Sequence, residues 1–311
     1  MKKCYLFFFL SLIAFLYFSC RKPDMTPAYL LLSVEDFEDC IDNDRGKFNA
    51  EHNTDFNEKY FEVIRQHNFR DVYVSLNGTA LGYWHLPCKI PILPNYANKN
   101  NIRIIPCVRF INSTVTTNQY VFLKPIERFF DIEKEEKIKF TNLKFEYWEG
   151  VRFPVLETFE QSTDFSSLDA IHGADITTNQ YVDGKQVGKI ELNDSLFYFN
   201  VATNYFPLLG QGVRHFWEIS YKCDGEMFTY LNFRNTPSGA VHQEMTVHPS
   251  TKGVWKKAYI DITDIISLAA GTAKDIEVRL GIRGLRNEDS DSQNANFYFE
   301  YVKLITMVAP Y

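Results

Sequence analysis

The sequence predicts an all-β protein, an immunoglobulin-like β-sandwich over 28–149 followed by a jelly-roll β-sandwich over 150–311. Three observations predict it. Short apolar or alternating runs recur with turn residues between them. Long helical periodicity is absent. The composition, 45% hydrophobic and 16% aromatic, suffices for packed cores and argues against disorder.

The chain starts with Lys2 and Lys3, an apolar run over 6–18, and Ser19-Cys20. A basic start, a short apolar stretch and a small residue before a cysteine read as a lipoprotein signal peptide over 1–19, with Cys20 the lipidated residue. The run is short for a helix that crosses a bilayer. Residues 20–27 turn polar at Arg21 and form a tether. Acyl chains on Cys20 would hold the protein on a membrane by burying methylenes, and the expected location is the outer membrane. Removal of Lys2 and Lys3 leaves 31 basic against 39 acidic residues, a formal charge of −8. That balance lacks the clustered cations that phosphate recognition needs, which excludes nucleic acid as the partner.

In the first half, 28–34 is a strand by its apolar run. The acidic stretch 35–57 follows; its Asp42-Asn43-Asp44-Arg45-Gly46 has the spacing of a calcium loop but lacks the terminal Glu and flanking helices, so it reads as a solvated loop. Residues 71–76 alternate with period two, Asn77-Gly78 signals a type I′ hairpin, and 79–85 returns as the partner strand. Leu86-Pro87 breaks it; 89–93, 102–105, 119–124, 129–133 and 138–148 supply further strands. In the second half, strands are expected at 188–192, 196–202, 213–223, 227–232, 240–248, 254–262, 276–282 and 296–305, with one or two helical turns at 264–270. The two units join directly near Gly150.

Cys4 leaves with the signal peptide, and Cys40, Cys88, Cys107 and Cys223 remain in a compartment that permits disulfides. Cys88 and Cys107 flank the expected hairpin 89–107, where they either face each other as a disulfide or stay as buried thiols.

Two resemblances add to this reading. Asp71-Val-Tyr-Val-Ser-Leu-Asn-Gly, Leu86-Pro87 and Pro91 resemble a family of Bacteroidota outer-membrane lipoproteins, from which Cys88 and Cys107 depart. Trp217-Glu-Ile-Ser-Tyr, Trp255-Lys-Lys-Ala-Tyr-Ile-Asp-Ile-Thr and Phe297-Tyr-Phe-Glu-Tyr-Val-Lys-Leu-Ile resemble the galactose-binding-like and carbohydrate-binding jelly rolls. That second resemblance implies a Ca2+ ion between an early acidic residue and one on the last strand, which here would be Glu160 and Glu300, with Glu300 where Asp is usual.

Sugar recognition needs aromatic faces flanked by polar groups. Tyr205 and Phe206, beside Pro207 and Gly210, are the candidate ligand or partner contacts; Tyr230 is a further aromatic candidate, while Trp217 and Trp255 sit in alternating strands and are expected in the core. His242 and His248 stand about 20 Å apart along one strand, too far to share a metal. No Gly-x-Ser-x-Gly, His-Glu-x-x-His or phosphate loop occurs, and no pair of carboxylates stands out for glycoside hydrolysis. Asp194-Ser195-Leu196 matches a short O-glycosylation acceptor motif. The expectation is a non-catalytic, lipid-anchored accessory subunit of an outer-membrane complex, partnered by a barrel or other envelope lipoproteins. The alternative is a surface glycan-binding lipoprotein of a carbohydrate-uptake system.

Overall fold

A computed structural model of the chain describes residues 26–39, 62–64, 67, 69–96, 98–111, 117–169, 173–234, 242–271, 275–286 and 294–308. The signal peptide, Cys20, the tether up to residue 25, Cys40 and the Asp42–Gly46 loop lie outside the described residues. The fold is all-β, as the alternation predicts, and its sheets pack as sandwiches. Among the described residues no helix is long and apolar enough to cross a membrane.

The first lobe contains β1 (Ala28–Leu32), β2 (Phe37–Asp39), β3 (Asp71–Leu76), β4 (Thr79–His85), β5 (Cys88–Ile92), β6 (Asn100–Val108), β7 (Asn118–Gln119), β8 (Ile126–Phe130), β9 (Lys137–Lys139) and β10 (Leu143–Phe145). One sheet runs β4-β3-β6-β7, with β8 also paired to β6; β5-β1-β9 and β10-β2 form two smaller sheets. The β3–β4 turn is placed as predicted, because Asn77 (φ 50°) and Gly78 (φ 79°) supply the two left-handed positions of a type I′ turn. The apolar phase of β3 and β6, Val72, Val74, Leu76, Ile102 and Ile104, faces the core with Leu30, Ile90 and Leu143.

The hairpin expected between Cys88 and Cys107 does not form. β5 pairs with β1, whereas β6 pairs with β3, so the two cysteines lie in different sheets and are free thiols, as is Cys223. The disulfide reading is corrected by strand pairing: Leu86-Pro87 redirects the chain to another sheet.

The second lobe contains β11 (Val151–Glu157), β12 (Ser166–Ser167), β13 (Thr177–Val182), β14 (Lys185–Leu192), β15 (Tyr198–Ala202), β16 (Phe206–Leu209), β17 (Val213–Cys223), β18 (Glu226–Arg234), β19 (His242–His248), β20 (Lys256–Asp261), the helix α1 (Thr263–Ala270), β21 (Asp275–Leu285) and β22 (Ala295–Val308). One sheet runs β13-β14-β22-β17-β20, with β11 on β22; the other runs β12-β15-β21-β18-β19, with β16 on β21. Their facing sides enclose Trp217, Ile219, Met227, Leu231, Leu280, Phe297 and Phe299. Gly281 is required by a close approach. A Cβ there would stand 1.9 Å from the Tyr230 ring, which lies against it and bonds Asn200 through its hydroxyl at 2.7 Å.

The two lobes share a core. Phe216, Tyr259, Ile305 and Met307, from the outer face of the β17-β20-β22 sheet, pack into the first lobe's cluster. Ile111 N donates to Tyr259 O at 2.9 Å, and the ring of Phe110 stands edge-on to Phe216 at 4.6 Å. The outer face of a jelly-roll sheet, ordinarily solvated, is therefore an interior surface here.

Candidate functional site

β3, β4, β6, β7 and β8 turn one phase of their residues inward, so the other phase must form the opposite face. Register aligns it. Asp71 stands opposite His85 and Cys107, Tyr73 opposite Tyr83 and Ile105, Ser75 opposite Arg103, Cys107 opposite Gln119, and Arg103 opposite Glu127. Two concavities open along this row. One of about 400 Å³ is lined by Tyr73, Ser75, Asn101, Arg103, Gln119 and Glu127 among others. The next, of about 240 Å³, is lined by Arg70, Asp71, His85, Cys107, Arg109, Lys257 and Tyr259 among others. From Asp71 to Ser75 the row extends about 13 Å by strand rise.

The groups along it are those that hydrogen-bond and stack. Tyr73 and Tyr83 meet edge-on at 5.2 Å, and Tyr83 remains 51% exposed. Burial, partly offset by a hydrogen bond from Gln119, raises the Tyr83 hydroxyl pKa, so it stays a donor at neutral pH. Arg103 and Glu127 are 3.9 Å apart, a loose pair that leaves both heads reachable. At the other end, Asp71 accepts from Arg109 Nε at 2.9 Å and Nη2 at 3.0 Å, and its Oδ1 lies 2.9 Å from His85 Nδ1. Burial pushes the Asp71 pKa up, but the Arg109 and His85 hydrogen bonds outweigh that and hold it below the usual value, so the carboxylate stays charged. Burial raises the Cys107 thiol to about 12, which removes it as a nucleophile.

Beneath this end lies a charge cluster at the lobe junction. Glu218 on β17 is fully buried, and its Oε2 is 3.0 Å from Lys257 Nζ and 3.0 Å from Lys303 Nζ. Tyr120 donates to Glu218 Oε1, and Tyr259 donates to the His67 carbonyl. Burial would raise the Glu218 pKa, but the two ammonium groups prevail and lower it. Burial brings Lys257 down to about 8, with Glu218 opposing and Lys303 reinforcing the shift, so Lys257 carries its proton at neutral pH.

The residues singled out in the sequence lie elsewhere. Tyr205 is on the outer face of the second lobe, with Arg234 at 3.9 Å and Arg279 at 4.6 Å over its ring. Phe206 is not a loop contact: it opens β16 opposite Val278 and packs partly against the core. Trp217 is core, as expected; Trp255 is not, and donates to Asp183 Oδ2 at 3.1 Å with Lys185 over its ring at 5.1 Å. His248 is buried against Thr229 Oγ1 at 2.8 Å, and the His242 side chain lies outside the described residues.

Glu160 and Glu300 do not fit a calcium site. Glu300 Oε2 accepts from Lys185 Nζ at 2.7 Å and Ser220 Oγ at 2.7 Å, so an ammonium stands against that carboxylate. Glu160 meets the neighbouring Gln186 through its backbone carbonyl. Among the described residues no three His, Cys, Asp or Glu side chains group as metal ligands.

No family model matches the chain, and no curated protein sequence matches it. Solved structures do. The CBM22-1–GH10 modules of the Clostridium thermocellum endo-1,4-beta-D-xylanase 10B, complexed with xylohexaose, match at 16% identity and TM-score 0.33, over 49% of this chain and 28% of that one. A carbohydrate-binding module of the β-sandwich superfamily matches at 10% identity and TM-score 0.32, over 76% of this chain and 86% of that one. The family 11 carbohydrate-binding module of Clostridium thermocellum Lic26A-Cel5E matches at 14% identity and TM-score 0.29, over 52% and 95%. This chain thus spans only 28% of the xylanase chain, and 19% of a bacteriophage tailspike that it also matches.

Proposed function

We propose that the protein is a glycan-binding envelope lipoprotein, held to the outer membrane through Cys20, and that the sugar chain lies along the outer face of the β4-β3-β6-β7 sheet. The observation that carries the reading is the row itself. Tyr73 lines the concavity of about 400 Å³ with Ser75, Asn101, Arg103, Gln119 and Glu127 as donors and acceptors, and the half-exposed Tyr83 ring stands edge-on to Tyr73 and adds aromatic surface beside it. Glycans need that combination, because a sugar ring has apolar C–H faces and a rim of hydroxyls. The pairing of aromatic faces with many donors and acceptors along one row supports the glycan reading. The bond breaking of a hydrolase is not part of the proposal.

Affinity electrophoresis of the soluble chain, begun after Cys20, through gels containing plant, algal and host polysaccharides tests it. The expected result is retardation by at least one polysaccharide, lost in Tyr83→Ala. Unretarded migration in every gel would overturn the proposal. Membrane attachment is tested separately by labelling cells with an alkyne fatty acid: Cys20→Ala is expected to abolish label and release the protein from the membrane fraction.

A further inference from the structure

The outer face of the first lobe's sheet carries aromatic surface at both of its edges. Tyr83 on β4 stands opposite Tyr73, which is opposite Ile105 on β6. At the other edge, Phe129 on β8 stands opposite Asn101. Opposite residues of antiparallel strands share a face. Asn101 lines the cavity of about 400 Å³, so Phe129 lies on the groove side, next to that cavity. The alternation of β8 agrees: Ile126 and Phe130 pack on the core, whereas Glu127 lines the cavity and Phe129 is 68% exposed. Phe130 meets the Phe140 ring edge-on at 5.7 Å, while the Phe129 ring is left on the surface. Beside it, Asn101 Oδ1 is buried and accepts no hydrogen bond among the described residues, a cost that a donor in the cavity would relieve. From Tyr83 to Phe129 a line crosses three strand spacings, about 14 Å, and runs the four residues from Ile105 to Asn101, about 13 Å, so the two rings stand about 20 Å apart. Arg103 and Glu127, both half exposed, lie between them.

We infer that the ligand is an extended run of several linked sugars that crosses the sheet diagonally, with one ring stacked on Tyr83, another on Phe129, and the hydroxyls between them on Arg103, Glu127 and Asn101. The inference rests on the glycan reading and names its substrate class: a stretch of polysaccharide rather than a mono- or disaccharide. A pyranose is a six-membered ring of about the size of the phenyl ring beneath it. One sugar therefore covers one aromatic ring, and two linked sugars fall short of the span. β4 and β8 both lie at sheet edges, so a chain resting on both rings can run on past either edge. The Phe129 ring has no polar group and offers only its face, which suits the apolar C–H side of a sugar. Contacts at both ends of one ligand share a single loss of overall freedom, so the second ring adds affinity only for a chain long enough to reach it.

The test is calorimetric titration of the soluble protein with cello-, xylo- and manno-oligosaccharides, monosaccharide to hexasaccharide, and with size-fractionated acid hydrolysates of any polysaccharide that retards it in the gels. The expected result is that affinity in the bound series rises at least about tenfold from disaccharide to hexasaccharide. Phe129→Ala is expected to lower hexasaccharide affinity about five- to tenfold, the loss of one stacked ring, and to leave disaccharide affinity unchanged. Phe129 is exposed, so its replacement leaves the core intact. Phe197→Ala, at an exposed ring of the second lobe, is expected to change neither. Hexasaccharide affinity no higher than disaccharide affinity, or hexasaccharide affinity unchanged in Phe129→Ala, would overturn the inference and leave glycan binding intact. Binding of no glycan in the gels or the titrations would overturn both.

Discussion

Replacing Glu218 by Gln removes the carboxylate that both Lys257 and Lys303 meet, while keeping the shape of the side chain and an acceptor for Tyr120. Both nitrogens are 3.0 Å from Glu218 Oε2, and Glu218 and Lys303 are fully buried. At an effective dielectric of 20, each attraction is about 5 kcal/mol before desolvation is subtracted. Removing one partner from a buried ionic cluster leaves charge less well compensated, and the net cost is about 3–5 kcal/mol. For a chain of this size that is a fall in Tm of roughly 10 °C. The assay is urea denaturation followed by tryptophan fluorescence, with the midpoint lowered and the slope unchanged. Adding Lys257→Met to Glu218→Gln should recover more than about 1 kcal/mol, because one ammonium rather than two has then lost that carboxylate. A loss below about 1 kcal/mol in the single variant would refute this reasoning, since it would mean that water or proton release already relieves the lysines.

Lys257→Met alone leaves Glu218 and Lys303 as a one-to-one pair, and is expected to be neutral or stabilising by up to about 3 kcal/mol at pH 7. The pH dependence has a definite sign. Lys257 drops from 10.5 to about 8 in the fold, so between those values the unfolded chain holds more protons. Its contribution to stability therefore rises with pH across 8–10.5, by about 3 kcal/mol at most, and the wild type should gain on Lys257→Met across that window in parallel urea titrations. Glu218, Lys303 and Glu300 act on Lys257 there, its ammonium stands over the Tyr259 and Tyr301 rings, and its charge acts on His67, with Asp71, Arg109, His85 and Cys107 lining the same cavity; effects common to both proteins cancel in the difference. Gly281→Ala would drive a methyl into the Tyr230 ring and should cost more than about 1 kcal/mol by the same denaturation. Cys88, Cys107 and Cys223 should all react with a thiol reagent in denaturant without prior reductant, and Cys107 and Cys223, buried with pKa values raised to about 12 and 11, should resist it in the native state.

Much of the fold was legible where local chemistry is decisive. Asn77-Gly78 fixed the β3–β4 hairpin to the residue, and the alternation in 213–223 matches β17. β11 was missed because Pro154 interrupts its apolar run, and β13 because Thr-Thr-Asn-Gln-Tyr-Val offers too little apolar phase to mark an edge strand. The groove was missed for a different reason. Tyr73, Tyr83, Arg103 and Glu127 each read as the ordinary wet side of a half-buried strand, and only register brings them into one row. The charge cluster joins three strands distant in sequence. Its one local sign was Lys303 inside Tyr-Val-Lys-Leu-Ile, a lysine in an apolar run, and covering by the first lobe, which no periodicity encodes, turns that outer face into interior. Tyr205 and Phe206 were chosen from turn residues nearby, but pairing of β16 with β21 takes Phe206 into the sandwich.

The most direct test of the groove is a comparison of Tyr83→Ala with Tyr205→Ala on a polysaccharide that retards the wild type. Tyr83 is half exposed on the first-lobe row, whereas Tyr205 lies under Arg234 and Arg279 on the far face of the second lobe. The groove predicts that Tyr83→Ala migrates freely and Tyr205→Ala is retarded like the wild type, with both variants as stable as the parent to within about 1.5 kcal/mol. Retardation that survives Tyr83→Ala and vanishes in Tyr205→Ala would contradict it and place the glycan on the jelly-roll face.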